Sequence, residues 1–277
     1  MVQGTLYLIG TPIGNLGDMT PRGLELLKTA DVVAAEDTRH TLELLNHFDI
    51  KNKLVRYDEH TKEAQGEVLL KEMRSGKNVA LVSDAGLPGI ADPGADLAER
   101  CIAENIQVVP VPGAHAALTA LIASGMPTQP FFFGGFLPKS AKNRKEQLEL
   151  WKNVPATMVF YEAPHRIKEV LGDVLKVWGN RKICLARELT KLHEEFWRGD
   201  LAGALEHLQS QDNIRGEFVI ILAPPVIEVV EYDLETLVGK VQELIAQGVE
   251  KKEALSYIAK EFKVPKRELY NRLLNQE

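Results

Sequence analysis

Two loops carry residues suited to chemistry. The first is GTPIGN at 10–15, directly after a short apolar run. Its glycines permit close approach of a ligand to the backbone. It is neither GxGxxG nor the GxxxxGK[ST] phosphate loop, so by itself it reads equally as a tight turn. The second is SDAGLPGIADPG at 83–94, with three glycines, two prolines and two aspartates. A connection this dense in conformational specialists reads as a binding loop. Asp84 and Asp92 could accept hydrogen bonds from a hydroxyl or an amine. Asp92 is also placed to cap a helix beginning at Pro93.

Other polar clusters follow apolar runs: EDTR at 36–39, FYEAPHR at 160–166 and RELTKLHEE at 187–195. Each is either a solvated loop or part of the ligand-binding end of a parallel sheet. VPGAHAALTALIASG at 111–125 is rich in small residues, which allow close packing of another element or of a flat ligand. His115 within it is a candidate base if it faces a cleft, and otherwise a surface or capping residue. The seven histidines and two cysteines show no CxxC or HExxH spacing, so no metal is expected. A GxSxG elbow is lacking, so a Ser-His-Asp triad is not expected either.

The elements that must position these residues alternate. Strands are expected at TLYLI (5–9), VVAAED (32–37), KLVRY (53–57), NVALVSD (78–84) and IQVVPVPG (106–113). Helices are expected between them: after Thr20–Pro21, over TLELLNHF, at 63–76, at 93–105 and at 114–125. This rhythm implies βαβ units and a largely parallel sheet. MPTQPFFFGGFLP (126–138) breaks it, and a domain boundary is expected there. Beyond it, strands are expected at FFFGGF, ATMVFYE (156–162), KICLARE (182–188), EEFWRG (194–199) and EFVIILA (217–223). Helices are expected at 140–152, 164–178 and 200–210. Short connections make this second sheet mixed. The expected organisation is an α/β domain at 1–125, a second α/β domain at 126–228, a linker over 223–233 and a helical module at 233–277.

Bulk properties narrow the class. The 277 residues suit two domains and a small extra piece. Hydrophobic residues at 45% and charged residues at 26% are those of an ordinary globular protein. No apolar run reaches the roughly 18 to 20 residues that span a bilayer, and the N-terminus reads as a first strand rather than a signal peptide. With two cysteines, Cys101 and Cys184, both in apolar patterns, the chain is expected to be cytosolic with no disulfide framework. A net charge of −6 excludes a broad basic face for indiscriminate nucleic-acid binding, though not a local basic groove.

Taken together and in order, GTPIGNLGDMTPRG, EDTR, SDAGLPGIADPG, PGAHAALTALIASG, FFFGGFLP, FYEAPHR and RELTKLHEE resemble the bacterial small-subunit ribosomal RNA 2′-O-methyltransferase I family, of the tetrapyrrole-methylase-like superfamily. The resemblance covers residues 4 to 225, and the helical tail resembles the family's C-terminal extension. It implies two α/β domains of the tetrapyrrole methylase type with a cleft between them, S-adenosylmethionine as cofactor, S-adenosylhomocysteine as product, and a homodimer. It implies methylation of a cytidine ribose in the decoding region of 16S ribosomal RNA, within the assembled 30S subunit. Carried over by motif, Thr11, Pro12, Asp84, Ala85, Gly86, Ile90, Ala91, Asp92, Thr119, Ala120 and Tyr161 would approach the cofactor.

A ribose hydroxyl is a poor nucleophile until its proton leaves, so a general base or a polarising cation is expected. Glu162 and Lys191 are the candidates, with Arg39 and Arg187 as positioning or phosphate-binding groups. Lys139, Lys142 and Arg144, with Lys145, lie in PKSAKNRKEQ (138–147) and are expected to meet RNA phosphates, unless this is a solvated helix start. EALSYIAKEFKVPKRELYNRLL resembles a helix-turn-helix turning around Phe262–Pro265, with Lys266, Arg267, Asn271 and Arg272 on its second helix. Acidic and basic residues balance in this tail. Two alternatives stay open: a methylase of a tetrapyrrole (precorrin-type) intermediate with the same fold, and a non-enzymatic regulator that reads nucleic acid with its helical tail.

Overall fold

The computed structural model describes residues 3–211, 213–226, 233–262 and 264–274. Five strands form the first sheet: β1 (Thr5–Ile9), β2 (Val32–Ala35), β3 (Leu54–Arg56), β4 (Val79–Val82) and β5 (Gln107–Val111). Their order is β3-β2-β4-β1-β5, and every pairing is parallel. Between the strands run α1 (Pro21–Thr29), α2 (Thr38–His47), α3 (Lys62–Arg74) and α4 (Gly94–Ala103); α5 (Ala116–Ala123) follows β5.

Every residue of β2 and β4 is buried. Alternation along β2 explains this. Val32 and Ala34 face a core with Leu69, Leu70, Met73 and Leu97, whereas Val33 and Ala35 face one with Leu27 and Leu45. Helices therefore cover both faces, which is why the strands read as unbroken apolar runs. Local signals set the helix ends. Thr20 Oγ1 accepts from Gly23 N at 3.1 Å with Pro21 opening α1, and Asp37 caps α2 by accepting from Arg39 N at 2.9 Å.

The second sheet comprises β6 (Phe131–Phe136), β7 (Thr157–Glu162), β8 (Lys182–Arg187), β9 (Glu195–Asp200) and β10 (Phe218–Leu222), in the order β6-β7-β10-β8-β9. Only β6–β7 is parallel; the other pairings are antiparallel, so the sheet is mixed. One face packs against α6 (Ala141–Trp151), α7 (Ile167–Trp178) and α8 (Leu201–Gln209) through Leu148, Val170, Leu171 and Leu208. The other face, with Val159, Cys184, Ala186, Val219 and Ile221, is covered by Ala117, Ala120 and Leu121 of α5. A helix that leaves the first sheet thus completes the core of the second, and residues up to Pro225 form one unit.

The remaining residues form a separate unit with its own core. Its helices are α9 (Leu234–Ala246), α10 (Lys251–Glu261) and α11 (Lys266–Leu274), joined through Leu237, Val241, Leu255, Ile258, Leu269 and Leu273. Two of the cations expected to face nucleic acid are engaged here. Lys266 Nζ donates to Lys252 O at 3.1 Å, and Arg272 pairs with Glu235. The boundary expected at 228 and most of the linker lie outside the described residues, as does Lys263 in the expected turn.

The ends of β1 and β5 meet through glycines. A Cβ on Gly113 would stand 2.7 Å from Gly10 Cα, closer than van der Waals contact permits. Gly113→Ala is expected to lower unfolding stability by roughly 1–3 kcal/mol as the strand ends part. Urea denaturation monitored by circular dichroism measures this, and an unchanged midpoint would remove the steric argument.

Candidate active site

The two glycine-rich loops hydrogen-bond to one another. Thr11 N donates to Gly86 O at 2.9 Å, and Gly86 N donates to Thr11 O at 3.2 Å. Thr11 Oγ1 lies 3.3 Å from Ser83 O and 3.4 Å from Gly86 O. Gly86 and Gly89 adopt φ of +82° and +85°, left-handed values that favour glycine. Asp92 fixes the far end of the loop. Its carboxylate accepts from Gly89 N at 2.9 Å and from Gly94 N at 2.8 Å, so it caps the entrance of α4 from inside the loop. Asp84 Oδ1 accepts from Asp37 N at 2.9 Å, which ties this loop to the end of β2.

A cavity of about 520 Å³ opens at this junction. Residues 83–87 and 90–92 form one wall, with Ile13 and Glu36 beside them. His115 and Ala116 come from the start of α5, and Phe136 from the end of β6. Tyr161, Glu162, Ala163 and Pro164 close the opposite side, together with Leu189 and Glu217–Val219.

Of the residues expected at the cofactor, Asp84, Ala85, Gly86, Ile90, Ala91, Asp92 and Tyr161 line this cavity; Thr11, Pro12, Thr119 and Ala120 do not. Thr11 is 3% exposed and spends its polar atoms holding the second loop. Ala120 is fully buried in the core beneath the second sheet. The helix meets the cavity with its first residues, one turn earlier than expected. There His115 Nδ1 accepts from Leu118 N at 3.3 Å, capping α5 while lining the cavity. Ala117 N donates to the Tyr161 hydroxyl at 3.2 Å, joining α5 to β7.

Among the described residues the wall carries five carboxylates, Glu36, Asp84, Asp92, Glu162 and Glu217, and no lysine or arginine. Burial raises the Glu36 carboxyl above its usual range, and the charges of Asp84 and Asp92 raise it further. Burial also raises Asp92 against the pull of the Gly89 and Gly94 amides. Burial lowers the His115 imidazole. Glu162 Oε1 accepts from Ala163 N at 2.8 Å, whereas its buried Oε2 has no hydrogen-bond partner among the described residues. Burial raises this carboxyl too, opposed by the Ala163 amide and by Arg166.

The two catalytic candidates therefore separate. Lys191 Nζ pairs with Glu188 at 2.9 Å and Glu217 at 3.2 Å and is not on the cavity wall. Burial disfavours its ammonium, but the two carboxylates outweigh that and raise it, which favours the charged form.

Arg144 corrects a second expectation. It is fully buried, bonded to Asp173 at 2.6 Å, to Glu169 and to the carbonyls of Pro138 and Lys139. It staples the start of α6 and cannot meet phosphate. Lys139 and Lys142 are exposed. Arg39 is 85% exposed and pairs with Asp37 at 2.5 Å, while Arg187 pairs with Glu195 at 2.8 Å.

Sequence reasoning passed over Ile13, Glu36, Phe136, Leu189 and Glu217. The signal for Glu36 was its place at the end of β2, inside the EDTR cluster.

The raised carboxyls give a pH dependence of definite sign. A folded-state value above the unfolded one means that the folded protein holds its proton to higher pH. The stability this contributes is complete below the unfolded carboxyl range and is lost as pH rises through the folded value. Glu36→Gln removes that loss, so the variant is expected to gain stability over the parent at pH 7 relative to pH 4. Urea midpoints at the two values test this, and an equal difference at both would overturn it.

Comparison with known proteins follows the geometry. Residues 5–204 match the family described as tetrapyrrole (corrin/porphyrin) methylases. The chain is 50% identical over 273 residues to ribosomal RNA small subunit methyltransferase I of Halalkalibacterium halodurans, spanning 97% of this chain and 94% of that protein. It is 48% identical over 274 residues to the protein of the same name in Bacillus subtilis, with the same coverage of 97% and 94%. Among solved structures, the methyltransferase CobJ superposes with a TM-score of 0.61 at 20% identity, over 80% of this chain and 94% of that one. Uroporphyrin-III C-methyl transferase from Thermus thermophilus, complexed with S-adenyl homocysteine, gives 0.56 at 22% identity over 80% and 99%. At these identities the superpositions establish the fold. By its matched residues and its near full-length relatives, the chain belongs to the tetrapyrrole (corrin/porphyrin) methylase family, in the branch of the ribosomal RNA small subunit methyltransferases I.

Proposed function

We propose that this S-adenosylmethionine-dependent ribosomal RNA methyltransferase acts on the ribose 2′-hydroxyl of a cytidine in the decoding region of 16S RNA, within the assembled 30S subunit and as a homodimer. The observation that carries the reading is a cavity whose wall, among the described residues, holds five carboxylates and no lysine or arginine. Such a field favours a cationic ligand. S-adenosylmethionine supplies a methyl group already activated by a positively charged sulfonium.

The residues present fit that cofactor. A volume of about 520 Å³ suits a ligand of this size. Ile13, Leu87, Ile90 and Leu189 offer apolar surface for a base, and Asp84, Asp92 and Glu36 offer acceptors for hydroxyl and amino groups. Ala85, Gly86, Ala91 and Tyr161 complete the wall, and the φ of +82° at Gly86 exposes backbone to a close ligand.

Glu162 is the proton acceptor in this reading. Burial brings its carboxyl toward the working pH, where a base is most effective, and Oε2 has no competing donor among the described residues. The O–H bond of the ribose breaks as this oxygen takes the proton. Phosphates fall to Lys139, Lys142, Arg39 and Arg187, with Lys191 as a further cation. Leu118 and Ile122, 43% and 77% exposed on one face of α5, support a second copy as partner.

S-adenosylmethionine at saturating concentration is expected to raise the melting temperature. Single-turnover methylation of small subunits by Glu162→Gln, measured at saturating cofactor, is expected to fall roughly 10²- to 10⁴-fold. Wild-type chemistry in that variant would remove Glu162 from the role. Methylation of a corrin precursor in place of small subunits would overturn the substrate assignment.

A further inference from the structure

One group beside Glu162 has no part in the reading above. Arg166 opens α7 four residues beyond Glu162, with its side chain 13% exposed. Its Nη1 lies 3.6 Å from Glu162 Oε1. Its Nη2 donates to Leu137 O at 3.0 Å and to Pro138 O at 3.1 Å. One rigid guanidinium therefore touches the carboxylate and the loop that follows Phe136. Phe136 lies on the cavity wall, its ring 5.5 Å from that of Tyr161.

The same loop has a second staple. Arg144 Nη1 donates to Pro138 O and Lys139 O, both at 3.2 Å. The two arginines differ in how their charge is used. Asp173 and Glu169 match Arg144. Among the described residues, the ion-pair partner of Arg166 is Glu162. Arg144 is thus a fastener for the loop, and Arg166 is the part that links loop and carboxylate.

We propose that Arg166 is a positioning residue for methyl transfer: it orients the Glu162 carboxylate by charge and fixes the Phe136–Pro138 wall by its other nitrogen, so that proton acceptor and substrate wall keep one mutual geometry. This rests on Glu162 being the proton acceptor. The fork shape of the guanidinium is what permits both contacts at once. Lysine in its place keeps the charge but not the fork.

The electrostatic consequence has a sign. The charged or titratable groups that face Glu162 are Arg166 and His165 from the turn after β7 and Arg144 from α6. All lower its carboxyl, and burial raises it. Removing the Arg166 charge leaves burial less opposed. The acid limb of the rate profile should then move to higher pH.

The test uses the full chain, small ribosomal subunits and S-adenosylmethionine, with single-turnover rates from pH 6 to pH 9 and cofactor Kd by calorimetry. Arg166→Met is expected to keep the cofactor Kd within about threefold, to lose roughly tenfold or more in rate at pH 7, and to shift the acid limb up by about one unit. Arg166→Lys is expected to return the limb to the parent position while the rate stays low. If Arg166→Met does not fold, Arg166→Gln serves, since it keeps a donor for the carbonyls without the charge, and its limb must move likewise. A parent-like limb in any folded uncharged variant, or a displaced limb in Arg166→Lys, overturns the proposal. Glu162→Gln separates the two levels. Full activity there defeats the assignment of the base, whereas an inactive Glu162→Gln beside an unmoved Arg166→Met defeats only the role of Arg166.

Discussion

The pair of hydrogen bonds between Thr11 and Gly86 is the contact on which the site depends. It joins the ends of β1 and β4, neighbours in the sheet, beyond the point where the ladder between them stops. Without it the second loop would keep its tie from Asp84 to Asp37 N but lose its anchor on the first loop. With it, the carbonyls of Ser83 and Gly86 are turned toward the buried Thr11 hydroxyl, and residues 84–87 and 90–92 face the cavity. Asp92 then closes the far end through two amides. A flexible composition of glycine and proline becomes a fixed wall because both ends are tied. This is how backbone can be offered to a ligand without a large ordering penalty at the moment of binding.

Much of the architecture was legible in the residues. The apolar character of VVAA and VALV identified strands of a parallel sheet, and the Thr20–Pro21 cap identified a helix start. The second loop was legible for the same reason that it is useful, since few turns need so many special residues. What could not be read was allegiance in space. The helix at 116–123 follows β5 in sequence, yet its buried alanines pack on the second sheet. Local pattern says that a helix has a buried face and not which partner buries it. The same limit applies along the helix, where His115 and Ala116 rather than Thr119 and Ala120 line the cavity.

Arg144 shows a different limit. A run with Lys139, Lys142, Arg144 and Lys145 reads as a solvated basic patch. Yet Arg144 lies four residues before the buried Leu148, on the same face of α6, and this periodicity outweighs its charge. Burial is tolerable because Asp173, Glu169 and two carbonyls satisfy the guanidinium. Lys191, which also follows an apolar strand, pairs with Glu188 and Glu217. Asp173 and Glu169 lie far along the chain from Arg144, whereas Glu188 is only three residues from Lys191.

The allegiance of α5 has a mechanical consequence. The segment that leaves the first sheet is itself the lining of the second, so the two halves are laced rather than stacked. A clamshell motion would have to pull Ala117, Ala120 and Leu121 out of an apolar interior. Traffic in and out of the cavity then falls to its rim. The two halves of this first unit, severed between 125 and 126, would each lose a face that the other supplies.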